Sequence, residues 1–168
     1  MTLEILPARE AAQLREIEVL ADEIWREHYT PLIGAAQVEY MLAKFQSLPA
    51  MEAQIRDGYQ YFLVRRDGQL LGYIAVQPQP AGRLLFISKF YLHKNARGTG
   101  TGRACMEFIE RLARQRGLDR LWLTVNKGNP AVKVYERLGF SIARPIVMDI
   151  GGGFVMDDYR MEKSLVPD

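Results

Sequence analysis

Residues 90–117 read FYLHKNARGTGTGRACMEFIERLARQRG: an apolar start, a basic turn with Gly98, Gly100 and Gly102 in alternation, then a helical pattern. Glycine weakens the interior of a helix or strand, so three of them mark a junction with a special backbone need. The first N–H groups of a helix have no internal partner and carry the positive end of its dipole. A strand that ends in such a turn and opens a helix is therefore suited to hold phosphate. Side chains there would keep a pyrophosphate from the N–H groups, and Arg97 and Arg103 add charge beside it.

Two common phosphate loops do not fit. A Walker loop ends in Gly-Lys-Ser/Thr, which is missing, and the dinucleotide pattern G-x-G-x-x-G would need glycine where Arg103 or Cys105 stands. The next strand ends in LTVNKGN, without the acidic residue that would hold a ribose.

Outward from the turn, Cys105, Met106, Phe108, Ile109, Leu112 and Ala113 recur at helical spacing, and Gly117 caps the helix. Upstream, TLEILP predicts a short strand ended by Pro7. Leu14, Ile17, Leu20, Ala21, Ile24 and His28 predict a helix from about Arg9 to Tyr29, broken by Pro31 and Gly34; AAQVEYMLAKFQS predicts a second. YQYFLVRR and LLGYIAVQP are strands joined by the tight turn DGQ, and RLLFISKFYLH is a third. RLWLTV is a buried strand. PAVKVYERLG is a helix with Pro130 in its first turn, and FSIARPIVMDI and FVMDDYRMEKSL are strands around GGG. This order (strand, two helices, three-strand meander, helix, strand, helix, two strands) predicts an α/β fold with a mixed sheet, in one domain over residues 1–168.

Composition sets the surroundings. A net charge of +2 argues against nucleic acid as main partner. One cysteine, Cys105, rules out an internal disulfide, and its place on an apolar helix face reads as core. His28 and His93 lack metal-ligand spacing, so no metal is expected. There is neither a basic, apolar leader nor a run of membrane-spanning length, so the expected location is cytoplasmic, away from membranes.

The pattern Arg97-x-x-Gly100-x-Gly102 resembles the pyrophosphate-arm motif of the GCN5-related N-acetyltransferase superfamily. NPAVKVYERLGF is similar to that family's second motif, with Asn129, Ala131, Tyr135, Gly139 and Phe140 in matching order. The ends, HYTPLIG…QVEYML and GGGFVMDDYRMEK, resemble its bacterial spermidine/spermine acetyltransferase-like branch. The resemblance implies a mixed, mostly antiparallel central sheet flanked by helices, with acetyl-CoA as cosubstrate. It implies that backbone N–H groups of Arg97, Gly98, Thr99, Gly100, Thr101, Gly102 and Arg103 hold the pyrophosphate. Phe90, Tyr91 and Leu92 would pair with the pantetheine arm and polarise the thioester carbonyl. Asn129 and Ala131 belong to the second motif, and Tyr135 matches the proton donor to the departing thiolate.

The base that frees the amine stays open among Glu27, His28, Asp157, Asp158 and ordered water, because FISKFYLHKN lacks the glutamate many relatives carry. Glu27, His28, Tyr29, Asp157 and Asp158 are candidate acceptor contacts; adjacent strand residues such as Asp157 and Asp158 should face opposite ways. The implied acceptor is a small primary amine, polyamines first. A protein N-terminus or lysine is the alternative, and a non-catalytic acyl-CoA sensor would need no Tyr135. Homodimers are common in this superfamily, although no residue here demands one.

Overall fold

The computed structural model describes residues 2–166. In chain order it holds β1 (Leu3–Ala8), α1 (Ala11–Ile33), α2 (Ala35–Phe45), α3 (Leu48–Arg56), β2 (Gln60–Arg66), β3 (Gln69–Gln79), β4 (Leu84–Leu92), α4 (Thr101–Gln115), β5 (Arg120–Asn126), α5 (Ala131–Arg137), β6 (Ser141–Gly151) and β7 (Phe154–Ser164). The strands are hydrogen-bonded in the order β1-β2-β3-β4-β5-β7-β6. β4 and β5 run parallel, while β1–β2, β2–β3, β5–β7 and β6–β7 run antiparallel. This is the mixed, mostly antiparallel α/β architecture expected from the sequence. The described residues form two compact units, 2–77 with 89–105 and 78–88 with 106–166.

In the first unit, α1 opens with a reciprocal cap between Glu10 and Gln13 and buries Leu14, Ile17, Leu20, Ala21, Ile24 and Trp25. Pro31 does not break this helix, contrary to the sequence reading; α1 runs through it to Ile33 and stops at Gly34, whose φ is 88°. Pro7 likewise lies inside β1, which extends to Ala8. Its missing N–H is tolerated because β1 is the end strand of the sheet. The sequence reading missed α3, which buries only Met51 and is started by the Ser47 hydroxyl accepting from the Ala50 N–H. The β2–β3 turn takes the left-handed backbone at Asp67 and Gly68 that a two-residue hairpin needs.

Two features of this unit position β4. A Cβ at Gly72 would run into the Tyr91 carbonyl and come within 2.6 Å of Leu92 Cδ2, so only glycine fits there. Lys89 is 4% exposed, and its Nζ donates to the Phe45 carbonyl, Gln54 Oε1 and the Tyr61 hydroxyl. Tyr61 donates in turn to Gln54. Every Nζ donor direction has an acceptor, which makes burial of this amine tolerable.

In the second unit, α4 buries Met106, Ile109 and Ala113, β5 buries Leu121 and Leu123, and β7 buries Met161. Lys163 of β7 donates to the Leu138 carbonyl at 2.6 Å and to Glu110 at 3.1 Å, tying α4 to the end of α5. Gly139 (φ 100°) lies beneath that lysine, where a Cβ would sit 3.0 Å from Nζ. On the other face of β5, Trp122 stacks on Phe86 and carries the Arg160 guanidinium 4.0 Å from its ring centre. Gly151, Gly152 and Gly153, all with positive φ, turn the β6–β7 hairpin.

Burial pulls the Lys89 ammonium down from 10.5 to about 7. Between those values the unfolded chain holds a proton that the folded chain lacks. Stability should therefore fall as pH is lowered from 10.5 towards 7, then level off below. Urea unfolding at stepped pH should show that slope in the wild type and a shallower one in Lys89→Met. Equal slopes would mean Lys89 titrates normally.

Candidate active site

The glycine-rich turn belongs to the first unit. Gly98 and Gly100 have φ of 73° and 80°, a region that side chains disfavour. The first rung of α4 runs from the Ala104 N–H to the Gly100 carbonyl, 3.1 Å. The amides of Thr101, Gly102 and Arg103 lie ahead of that ladder. Gly98, Thr99, Gly100, Arg97 and Arg103 are exposed, so the turn is open to a ligand.

A chain of hydrogen bonds fixes the turn from beneath. Arg66 of β2 donates to the buried Thr101 hydroxyl at 2.6 Å. Thr101 and Thr99 share a hydrogen bond of 2.8 Å, and Thr99 donates to the Ala96 carbonyl. At the turn's start, His93 Nδ1 accepts from the Asn95 N–H while Nε2 lies 2.9 Å from Glu23 Oε1. Since Nδ1 accepts, Nε2 holds the proton and donates to Glu23. Sequence reading had overlooked Arg66, Gly72 and His93 as supports. A lone basic residue in a hairpin and a glycine in a strand carry no signal until their long-range partners are known.

Phe90, Tyr91 and Leu92 end β4, directly before this turn. The Tyr91 ring meets Trp25, Tyr29 and Tyr73 at centroid distances of 5.5, 6.2 and 5.3 Å. The His93 N–H donates to the Leu71 carbonyl at 2.7 Å, so β4 is held up to its last residue. Of the α1 candidates, Glu27 is 3.7 Å from Lys94 Nζ, and His28 packs edge-on against Tyr29. Glu27, Tyr29, Tyr91 and the turn therefore share one unit.

Asn129, Ala131, Tyr135, Asp157 and Asp158 belong to the second unit. Asn129 is buried, and its Oδ1 accepts from the Ala131 N–H at 2.9 Å, which starts α5. Tyr135 is half-buried on α5, edge-on to Phe140 with ring centres 5.7 Å apart. Its carbonyl accepts from the N–H groups of Leu138 and Phe140, closing the helix over Gly139.

The two aspartates separate as strand alternation requires. Asp157 is exposed and pairs with Lys127 at 2.9 Å; Asp158 is 3% exposed and hydrogen-bonded by the Thr124 side chain. Burial and the neighbouring Asp157 charge push the Asp158 carboxyl up to about 6. Cys105 is buried, and burial raises its thiol to about 12, which fits core and not a nucleophile. Among the described residues, no group of three His, Cys, Asp or Glu could hold a metal ion, and no helix is long and apolar enough to cross a membrane.

The chain belongs to the acetyltransferase (GNAT) family, whose model matches residues 17–140. It is 35% identical over 91 residues to the streptothricin acetyltransferase of Streptomyces lavendulae, covering 54% of this chain and 48% of that protein. It is 34% identical over 103 residues to an uncharacterised N-acetyltransferase of Mycobacterium tuberculosis, covering 61% and 65%. The chain thus spans about half to two thirds of the length of these curated relatives. The PaiA N-acetyltransferase of Thermoplasma acidophilum, solved in complex with coenzyme A, shares the fold. Its TM-score is 0.79 over 98% of this chain and 99% of that one, at 19% identity.

Replacing Asn129 by alanine removes the cap on the Ala131 N–H, a loss of about 1 kcal/mol for a helix N-terminus. Asn129→Ala should lower the urea midpoint accordingly, with Asn129→Asp retaining most of the stability. A midpoint unchanged in Asn129→Ala would remove Asn129 from the support of α5.

Proposed function

We propose that this chain is an acetyl-CoA-dependent N-acetyltransferase, working as one domain, that acetylates a small primary amine by direct attack on the thioester. The observation that carries the reading is the exposed left-handed turn at Gly98 and Gly100, opening α4 within a chain of this family. When bound, acetyl-CoA supplies the activated acetyl group. The amides of residues 97–103 would take its pyrophosphate, with Arg97 and Arg103 adding charge. The end of β4, Phe90–Leu92, would pair with the pantetheine arm, and its N–H groups would hold negative charge on the thioester oxygen. Asn129 and Ala131 would set α5 so that Tyr135 gives a proton to the departing sulfur.

The similarity to a streptothricin acetyltransferase supports a small molecule over a protein N-terminus or lysine. A polyamine would need carboxylates for its second ammonium. Glu23, Glu27 and Asp157 each have a partner already in His93, Lys94 and Lys127. This favours compact monoamines and amine-bearing small molecules, with polyamines as a comparison set. An acyl-CoA sensor would bind the same ligand without turnover.

CoA-thiol release from acetyl-CoA should depend on an added amine. Tyr135→Phe should lower kcat by about 10²-fold or more with acetyl-CoA affinity unchanged. Gly100→Val, forced into a left-handed backbone, should instead weaken acetyl-CoA binding. Saturable acetyl-CoA binding with no release for any amine would replace the enzyme reading by the sensor.

A further inference from the structure

Arg66, Arg97 and Arg103 stand where the turn opens α4, and among the described residues none of them forms an ion pair with a carboxylate. Arg65, one residue earlier on β2, is paired with Glu16 at 2.7 Å. Strand alternation sends Arg65 to one face and Arg66 to the other, where it meets Thr101, the first residue of α4. Its charge also reaches Cys105, one turn further along that helix. The first turn of α4 contains no acidic residue. The helix dipole disfavours cations at a helix N-terminus, so this arrangement is uphill by itself and suited to an arriving anion.

The hydrogen bonds beneath the turn have a direction, because a threonine hydroxyl has one proton to give. Thr99 gives its proton to the Ala96 carbonyl, which can only accept. In the 2.8 Å bond between the two hydroxyls Thr101 is therefore the donor. The Thr101 oxygen in turn accepts from Arg66 at 2.6 Å. The row runs from Arg66 through Thr101 and Thr99 to Ala96. It begins at a full charge, and hydrogen bonds in such a row polarise one another. Both hydroxyl protons are used inside it, so neither threonine side chain can donate to a phosphate, and Thr101 is wholly buried besides. The donors left for an anion in the turn are its backbone amides. Their placement depends on the left-handed φ of Gly98 and Gly100, which flank Thr99. Glycine has ready alternatives to those angles, and fastening Thr99 and Thr101 on either side of Gly100 takes them away.

We propose that Arg66 is a positioning residue for the pyrophosphate of coenzyme A, acting through Thr101 and Thr99 on the amides of residues 97–103, an assignment that rests on the acetyl-CoA reading above. Arg97 and Arg103 are exposed and free to meet ligand charge directly. Arg66 is half-buried and already committed to Thr101, so it works from beneath. The Thr99 and Thr101 hydroxyls hold the turn and leave phosphate contact to the backbone. Arg66 orders those amides before the ligand arrives, which reduces the entropy lost on binding. Since it takes part in no bond that forms or breaks, its effect belongs to cofactor affinity and not to the chemical step.

The test is coenzyme A affinity of the full chain, by titration calorimetry, for wild type, Arg66→Met, Thr101→Val, Thr101→Ser and the double variant Arg66→Met/Thr101→Val. Amine-dependent kcat at saturating acetyl-CoA is measured alongside. Arg66→Met and Thr101→Val should each weaken coenzyme A binding about 10-fold, the scale of one charge-assisted hydrogen bond. The double variant should lose about 10-fold as well, because both changes cut the same row. Thr101→Ser keeps the hydroxyl and should retain most of the affinity. In Arg66→Met kcat should change far less than affinity. Valine matches threonine in shape, so Thr101→Val tests the row even where Arg66→Met fails to fold. Wild-type affinity in both single variants would overturn the assignment and leave the acetyltransferase reading standing. Losses that multiply to about 10²-fold in the double variant would overturn action through Thr101. A fall in kcat as large as the fall in affinity would make Arg66 a general support of the fold and overturn its positioning role. No coenzyme A binding by the wild type would overturn the cofactor reading itself, and this assignment with it.

Discussion

The left-handed backbone at Gly98 and Gly100 is the constraint around which the first unit is arranged. With both residues in that region the chain leaves β4 and enters α4 in a few residues, its amides ahead of the first helical rung. Such a turn is stiff only if held, and the hold comes from elements distant in sequence. Arg66 reaches across to Thr101, and Glu23 takes the His93 ring. Gly72 lets β3 come against the Tyr91 carbonyl. Each contact orders backbone before a ligand arrives, which lowers the entropy lost on binding.

Buried polar groups in the two units have different partners. In the first, Lys89 has its donors matched by Phe45, Gln54 and Tyr61, so its burial organises α2, α3 and β2 around β4. In the second, Asn129 accepts from the Ala131 N–H, and Asp158 accepts from the Thr124 side chain.

Much of the fold was legible because it rests on local signals. Asp67-Gly68 made the hairpin readable, Gly117 and Gly139 marked helix ends, and the opposite orientations of Asp157 and Asp158 follow from strand alternation alone. α3 was not legible, since nine residues with Met51 as the sole buried side chain leave no periodic stripe. Pro31 misled because it falls in the last turn of α1, where one lost hydrogen bond does not end a helix already packed along its length. The turn could be read from its alternating glycines, whereas Tyr135 was named only through the family resemblance. The supports at Arg66, Gly72, Lys89 and His93 could not, because their roles exist only through partners tens of residues away.

As proposed above, the backbone of residues 97–103, with the end of β4, would receive a CoA pyrophosphate and its arm. Amide hydrogen exchange of the full chain, with and without coenzyme A, tests it most directly. Protection on binding should be concentrated at residues 97–103 and 90–92, with α2 and the β6–β7 hairpin unchanged. Saturable binding with protection elsewhere and none at the turn would contradict it.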